Sequence, residues 1–242
     1  HNMALIMPTG GGSADYDLLA MYSSDGPDEG TYVTSEADFR SLVQRYHYGL
    51  STHELHEVLE ALRGNASRRT RCVDPDLIAV NNGIFNYRTK QLQPFTPELI
   101  FLSKSRVDYV PGAVNPTITM PDGAPWDVEN WVQTLSDDPE IIQVIWEILG
   151  AIIRPNVRWN KAAFFYSEKG NNGKGTLCEL MRELCGPGTA TSVALAEMGK
   201  DFKLEPLVHA SAIIVDENDV GTLVDKAANL KAIITGDVIQ VN

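Results

Sequence analysis

Ala162-Ala163-Phe164-Phe165-Tyr166-Ser167-Glu168-Lys169-Gly170-Asn171-Asn172-Gly173-Lys174-Gly175-Thr176 passes from an apolar run through glycine and asparagine to a lysine. The apolar run predicts a strand over 162–167, and the residues from Leu177 to the glycine at 186 predict a helix over 177–185. Strand, glycine-rich loop and helix in that order form the geometry in which backbone N–H groups and a helix N-terminus wrap phosphates. The loop therefore predicts a nucleotide site in which Gly170, Asn171, Asn172, Gly173, Lys174, Gly175 and Thr176 cradle ATP. Lys174 would reach the β- and γ-phosphates as a point charge.

The match to G-x-x-x-x-G-K-[ST] has two departures. Glu168 stands where the first glycine belongs, and Gly175 stands where the metal-binding hydroxyl belongs, so Thr176 is its substitute. These departures bear on magnesium coordination more than on phosphate binding. The bland competing reading is a glycine-rich turn with an exposed lysine.

Downstream, Ala212-Ile213-Ile214-Val215-Asp216-Glu217 predicts an apolar strand ending in two carboxylates. A P-loop ATPase needs one acid to hold Mg2+ through water and another to activate the attacking water. Asp216 suits the first role, alongside Thr176 as the other metal residue, and Glu217 suits the second. Alone, such acids read as a solvated strand end; the loop upstream favours the catalytic reading. The residues 230–241 predict a helix end, a turn at Gly236-Asp237 and the start of a strand or hairpin arm.

Composition sets the wider limits. The hydrophobic content of 43% suffices for a large core, and a net charge of -12, from 20 basic and 32 acidic residues, argues against a surface built wholly for duplex DNA. A local basic channel stays open. Cys72, Cys178 and Cys185 form no CxxC pair and are odd in number, which predicts a reducing compartment, read as the cytoplasm, and no structural zinc. No apolar run has the roughly 20 residues of a membrane helix, so no membrane partner is expected.

Upstream, Leu18-Leu19-Ala20-Met21-Tyr22 lies between turn-rich stretches and predicts a small hairpin or a loosely ordered end. Ser35 caps an expected helix with Phe39, Leu42, Val43 and Tyr46 on one face. Ser51 and Glu54 form a capping box for a second helix, expected to stop at Gly64, and the pair suggests a helical N-terminal unit. The cluster Arg63, Arg68, Arg69 and Arg71 reads as a solvated loop in preference to a phosphate contact. Leu77-Ile78-Ala79-Val80 and Ile84-Phe85-Asn86-Tyr87 around Asn81-Asn82-Gly83 predict a hairpin. Prolines break residues 110–126 into an irregular connection, a helix is expected over 126–135, and Asp138 with Pro139 announces another over 140–153. That last helix is apolar on nearly every side, which predicts full burial between layers or against another subunit.

The resulting expectation is an α/β fold with three parts: a mixed α+β region over 1–125, a helical connector over 126–159, and an incomplete P-loop core of the AAA+ type over 160–242. In this order the pieces resemble the phage and plasmid primase-helicases. Val80-Asn81-Asn82-Gly83-Ile84-Phe85-Asn86-Tyr87 with Thr89 and the residues 92–97 is similar to that family's poxvirus-type pre-helicase domain. The loop, the Asp216-Glu217 pair, and Lys231 with Thr235-Gly236-Asp237 are similar to the start of its superfamily-three helicase module. The resemblance implies an ATP-dependent DNA helicase for replication, moving on single-stranded DNA as a homo-oligomeric ring, usually a hexamer, in a bacterial or phage-infected cell. It also implies that the sensor asparagine, arginine finger and DNA-binding hairpin lie beyond residue 242, so this chain is expected to be a truncated piece, inactive alone.

Two other readings are open. One is a nucleotide or metabolite kinase, since Lys174-Gly175-Thr176 also resembles phosphotransferase loops; the other is a non-catalytic replication assembly module. His53-Glu54-Leu55-His56 lacks the four-residue histidine spacing of helical zinc sites and reads as a solvated helix face. His209 reads as a packed or capping residue.

Overall fold

Period-two alternation puts Ala4 and Ile6 on one face of a strand and Leu5 on the other, and all three are buried. A strand buried on both faces needs cover on both sides, and the N-terminal sheet has it. The computed structural model describes residues 2–7, 17–168, 170–186, 188–198, 207, 210–216 and 227–237, in a chain that divides into two units, 1–104 and 105–242.

In the first unit β1 (Met3–Met7), β2 (Leu18–Tyr22), β3 (Tyr32–Val33) and β4 (Ser67–Thr70) form one sheet in the order β3-β2-β1-β4. Strand β1 pairs antiparallel with β2, Leu5 opposite Leu19, and parallel with β4, Leu5 opposite Arg68. The segment expected to be a small hairpin or loosely ordered is thus the middle of a four-stranded sheet. Helices α1 (Glu36–Tyr46) and α2 (Thr52–Asn65) cover one face through Phe39, Leu59 and Leu62, against Leu5 and Leu19. On the other face Ile100 packs against Ala4, Ile6, Ala20 and Tyr32.

Both helix starts are as the sequence predicts. Ser35 accepts from the Ala37 N–H, and Ser51 and Glu54 cap each other reciprocally. Gly64 does not stop α2, which runs to Asn65 and ends at an extended Ala66. The N-terminal region is mixed α+β, as expected, and not a purely helical unit: the residues after α2 enter the sheet as β4.

Three arginines of the cluster, Arg63, Arg68 and Arg69, are tied into the fold. Arg68 forks onto the buried Asp17 carboxylate, with Nη2 donating to Oδ1 at 3.1 Å. Arg69 donates to the Pro97 and Glu98 carbonyls at 3.0 and 2.7 Å, and Arg63 donates to the Asp17 carbonyl at 3.2 Å. Arg68 and Arg69 therefore do not form a solvated loop: pairing of β4 brings them over acceptors far away in sequence, while Arg71, just beyond the strand, is exposed.

A three-stranded meander, β5 (Leu77–Val80), β6 (Gly83–Asn86) and β7 (Gln91–Gln93), follows, with the predicted turn at Asn81-Asn82. Lys104 is 5% exposed; its Nζ donates to the Glu29 carbonyl at 2.8 Å and to the Asn81 carbonyl at 3.4 Å, and lies 5.0 Å from the Phe95 ring centre. One buried cation thus joins the turn after β2 to the turn of the meander. At Gly30, φ is +85°, and the Phe95 ring fills the space a Cβ would need.

In the second unit the proline-rich residues hold only a two-residue hairpin, β8 (Ile118–Thr119) and β9 (Pro125–Trp126). Then come α3 (Val128–Gln133), capped by Asp127, and α4 (Pro139–Ile152), capped by Asp138. After them lie α5 (Lys174–Cys185), the strands β10 (Ala190–Thr191) and β11 (Ala212–Ile213), which pair in parallel, and α6 (Ala228–Thr235), closed by a left-handed Gly236. The core gathers Val132, Ile142, Ile145, Leu149, Leu177, Cys178, Met181 and Ile214. All three cysteines are free thiols, and no helix among the described residues is long and apolar enough to cross a membrane.

Within the chain helix α4 buries one face, with Ile142, Ile145 and Leu149 inside and Ile141 and Val144 each 50% exposed, because only one side meets α3 and α5; its other face is the one that burial against another subunit would use. One expectation for this unit changes. The residues 162–167, expected as a strand, join no sheet among the described residues: Phe165 packs on the core while Phe164 and Tyr166 are 71% and 83% exposed. What the described residues establish is a mixed α/β chain with small sheets.

Gly83 separates steric need from helix preference. Its φ is +151°, and an added Cβ would meet the Gln93 carbonyl oxygen at 2.6 Å. Gly83→Ala should cost about 2 kcal/mol or more in denaturant unfolding, whereas Gly64→Ala, inside α2 with nothing within 4 Å, should stabilise by about 0.5–1 kcal/mol. Equal effects would show that the turn at Gly83 is not held in this geometry.

Candidate functional site: the loop before α5

The glycine-rich loop rests on the end of α3. Gly173 has φ +82°, and an added Cβ would meet Leu135 Cδ2 at 2.6 Å and the Trp131 ring at 3.7 Å. Asn171, with φ +54°, is also left-handed, so the chain turns sharply twice before α5 begins at Lys174. The helix starts three residues before the predicted Leu177, which places Lys174, Gly175 and Thr176 in its first turn.

That first turn differs from those of the preceding helices. Side chains of Ser35, Ser51, Asp127 and Asp138 cap α1 to α4, but Gly173 offers α5 no side-chain cap and no acid lies in its first turn. Uncapped N–H groups and the positive end of the helix dipole remain available to an anion. Lys174 is half-buried, and its Nζ donates to Asn172 Oδ1 at 3.0 Å across the loop. Gly170, Asn171, Gly175 and Thr176 are exposed, and Asn172 and Gly173 are half-buried.

Asp216 follows β11 and the buried Ile214. Arg182 Nη2 donates to its Oδ2 at 2.6 Å, and Arg182 Nη1 donates to Glu179 Oε2 at 3.1 Å. The carboxylate also faces Cys178: burial, and then the neighbouring Asp216, push that thiol up from its ordinary range. The structure thus brings Asp216 to the helix that carries the loop lysine, but to its Cys178 and Arg182 positions; no hydrogen bond or ion pair joins it to Lys174 or Thr176 among the described residues. Glu217, Lys169, His209 and the strand expected after Asp237 lie outside the described residues.

The oxygen donors fit a hard divalent ion in kind, a hydroxyl from Thr176 and a carboxylate from Asp216. Arg182 occupies that carboxylate here. Sequence reading did not single out Arg182, whose spacing of eight residues from Lys174 marks it as sharing one row of α5.

Residues 44–150 match the family described as "D5 N terminal like", and residues 165–242 match one described as a family of unknown function, DUF5906. No curated protein matches the chain. The match over 44–150 supports a D5-like phage or plasmid replication protein.

Asp127 anchors the helix beneath the loop. Donation from the Asn130 N–H, then from the Asn115 side chain, holds its carboxyl below the usual range. A depressed folded value means that its contribution is fully present above the ordinary value near 3.9 and is lost as pH falls through the lower folded one. Asp127→Asn still caps a helix but cannot titrate, so its melting temperature should fall less steeply than wild type below about pH 4. Parallel acid limbs would disprove the coupling.

Proposed function

We propose that this chain is the part of an ATP-dependent DNA helicase of phage or plasmid replication that binds the nucleotide's phosphates. The observation that carries this reading is the uncapped first turn of α5, entered through two left-handed residues and opened by Lys174. The match of residues 44–150 supports the replication setting. In this reading the backbone of Gly170, Asn171, Asn172, Gly173, Lys174, Gly175 and Thr176 donates to the phosphates, and the Lys174 ammonium leaves Asn172 for the β- and γ-oxygens. Thr176 and Asp216 would hold Mg2+, which when bound would supply charge neutralisation to the phosphates. Glu217 orients the attacking water and accepts its proton. The larger assembly is a ring, a hexamer by resemblance, on single-stranded DNA.

A second reading, nucleotide binding without turnover in an assembly module, draws on the Arg182–Asp216 pair, which keeps the metal acid engaged.

Lys174→Ala removes a charged donor and should weaken ATP binding by about ten- to hundredfold in calorimetry. Unchanged affinity would sink the phosphate-loop assignment. In the assembled ring, Glu217→Gln should retain ATP binding while turnover falls by about two orders of magnitude or more. Wild-type turnover in that variant would remove Glu217 as the base, and a wild-type ring that binds ATP without hydrolysing it would select the second reading.

A further inference from the structure

Helix α5 carries Lys174, Cys178 and Arg182 at i, i+4 and i+8, one row along its length. The loop end of that row is the proposed phosphate site; the far end, about 12 Å away at about 1.5 Å per residue, is Arg182. The Asp216 carboxylate lies against the far half, bonded to Arg182 and facing Cys178. Arg182 has a second carboxylate within reach, Glu179 one turn back on the same helix. The side chains of Arg182 and Asp216 are 30% and 49% exposed, so their attraction is partly screened and a divalent cation can compete for the acid.

We propose that Arg182 is a positioning residue that parks the Asp216 carboxylate along α5 in the nucleotide-free protein, and that Mg2+ arriving with ATP releases it and leaves Arg182 paired with Glu179. The proposal rests on the ATP-site reading above. It gives Arg182 a role that the loop motif does not contain: the acid is exchanged between a guanidinium and a metal, and Glu179 keeps the guanidinium's charge matched in both states. The energetics suit an exchange, because a half-exposed ion pair shifts an equilibrium only about 1.5- to 5-fold. Metal can therefore outcompete it at accessible concentrations.

The test is calorimetric titration of ATP into the 242-residue chain at stepped Mg2+ concentrations, with a parallel series in EDTA. Arg182→Met keeps the length of the side chain and removes its charge. It should lower the half-saturating Mg2+ concentration by about two- to fivefold and leave ATP affinity in EDTA unchanged. Glu179→Gln removes the alternative partner and should move the Mg2+ requirement the other way, a sign that a merely structural role of Arg182 does not produce. Arg182→Lys should lie between wild type and Arg182→Met. An unaltered Mg2+ requirement in both Arg182→Met and Glu179→Gln, with ATP still bound, overturns the proposal and leaves the ATP-site reading standing. A wild-type chain that binds ATP in neither series overturns that reading and this proposal together. Should Arg182→Met fail to fold, Glu179→Gln, altering a side chain that is 63% exposed, carries the test.

Discussion

Burial of one face of α5 fixes the candidate site. Leu177, Cys178 and Met181 lie in a core with Ile142, Ile145 and Leu149 of α4, Val132 of α3 and Ile214 after β11. Side chains of this size contribute about 1.5–3 kcal/mol each on full burial, so the rotation of α5 about its axis is set by its apolar stripe. Once that stripe is inside, Lys174 and Arg182 lie at its edge, one turn either side of the buried Cys178, and Asp216 meets the helix at Arg182. Its C-terminal end is held too: Ser105 donates to the Leu184 carbonyl at 2.6 Å, and the buried Thr189 hydroxyl bonds the Cys185 and Gly186 carbonyls. A helix fixed along its length and left uncapped at its start presents a rigid set of N–H donors.

The N-terminal unit holds two small sheets, and buried charge helps fix its segments. Within the four-stranded sheet Arg68 satisfies the buried Asp17, and Lys104 spans carbonyls from the turn after β2 and the turn of the meander. Buried charges persist only when paired or fully hydrogen-bonded, so these contacts specify which segments lie together. Arg63, Arg68 and Arg69, read from the sequence as a solvated cluster, are engaged in contacts of this kind.

The contrast between the two units bears on function. In the first, Arg68 and Arg69 hold a buried carboxylate and two backbone carbonyls, and these contacts tie segments of the fold together. In the second, Arg182 binds an acid that the loop motif wants for metal. The same ion-pair chemistry is a fixed joint in one place and, in the proposed reading, a displaceable one in the other; burial makes the difference. Asp17 is almost wholly enclosed, whereas Asp216 is half-exposed and open to competition.

Local features were legible in the sequence wherever their cause is local. Ser35, Ser51 and Asp138 cap their helices because a short side chain and an N–H two or three residues on suffice, whereas the helix expected from Trp126 starts at Val128 behind an Asp127 cap that sequence reading did not name. The turn at Asn81-Asn82 and the closing Gly236 likewise need only backbone permission. The loop from Gly170 to Lys174 was legible as a sharp turn into a helix for the same reason. Tertiary structure alone decided the rest: that Leu18–Tyr22 is a central strand, that Arg68 and Arg69 face Asp17 and two carbonyls, that α4 leaves Ile141 and Val144 outside, that residues 162–167 pair with no strand among the described residues, and that Asp216 meets Arg182. Each of these depends on a partner distant along the chain. Periodicity states which face of an element is apolar, but only packing determines which segment covers it.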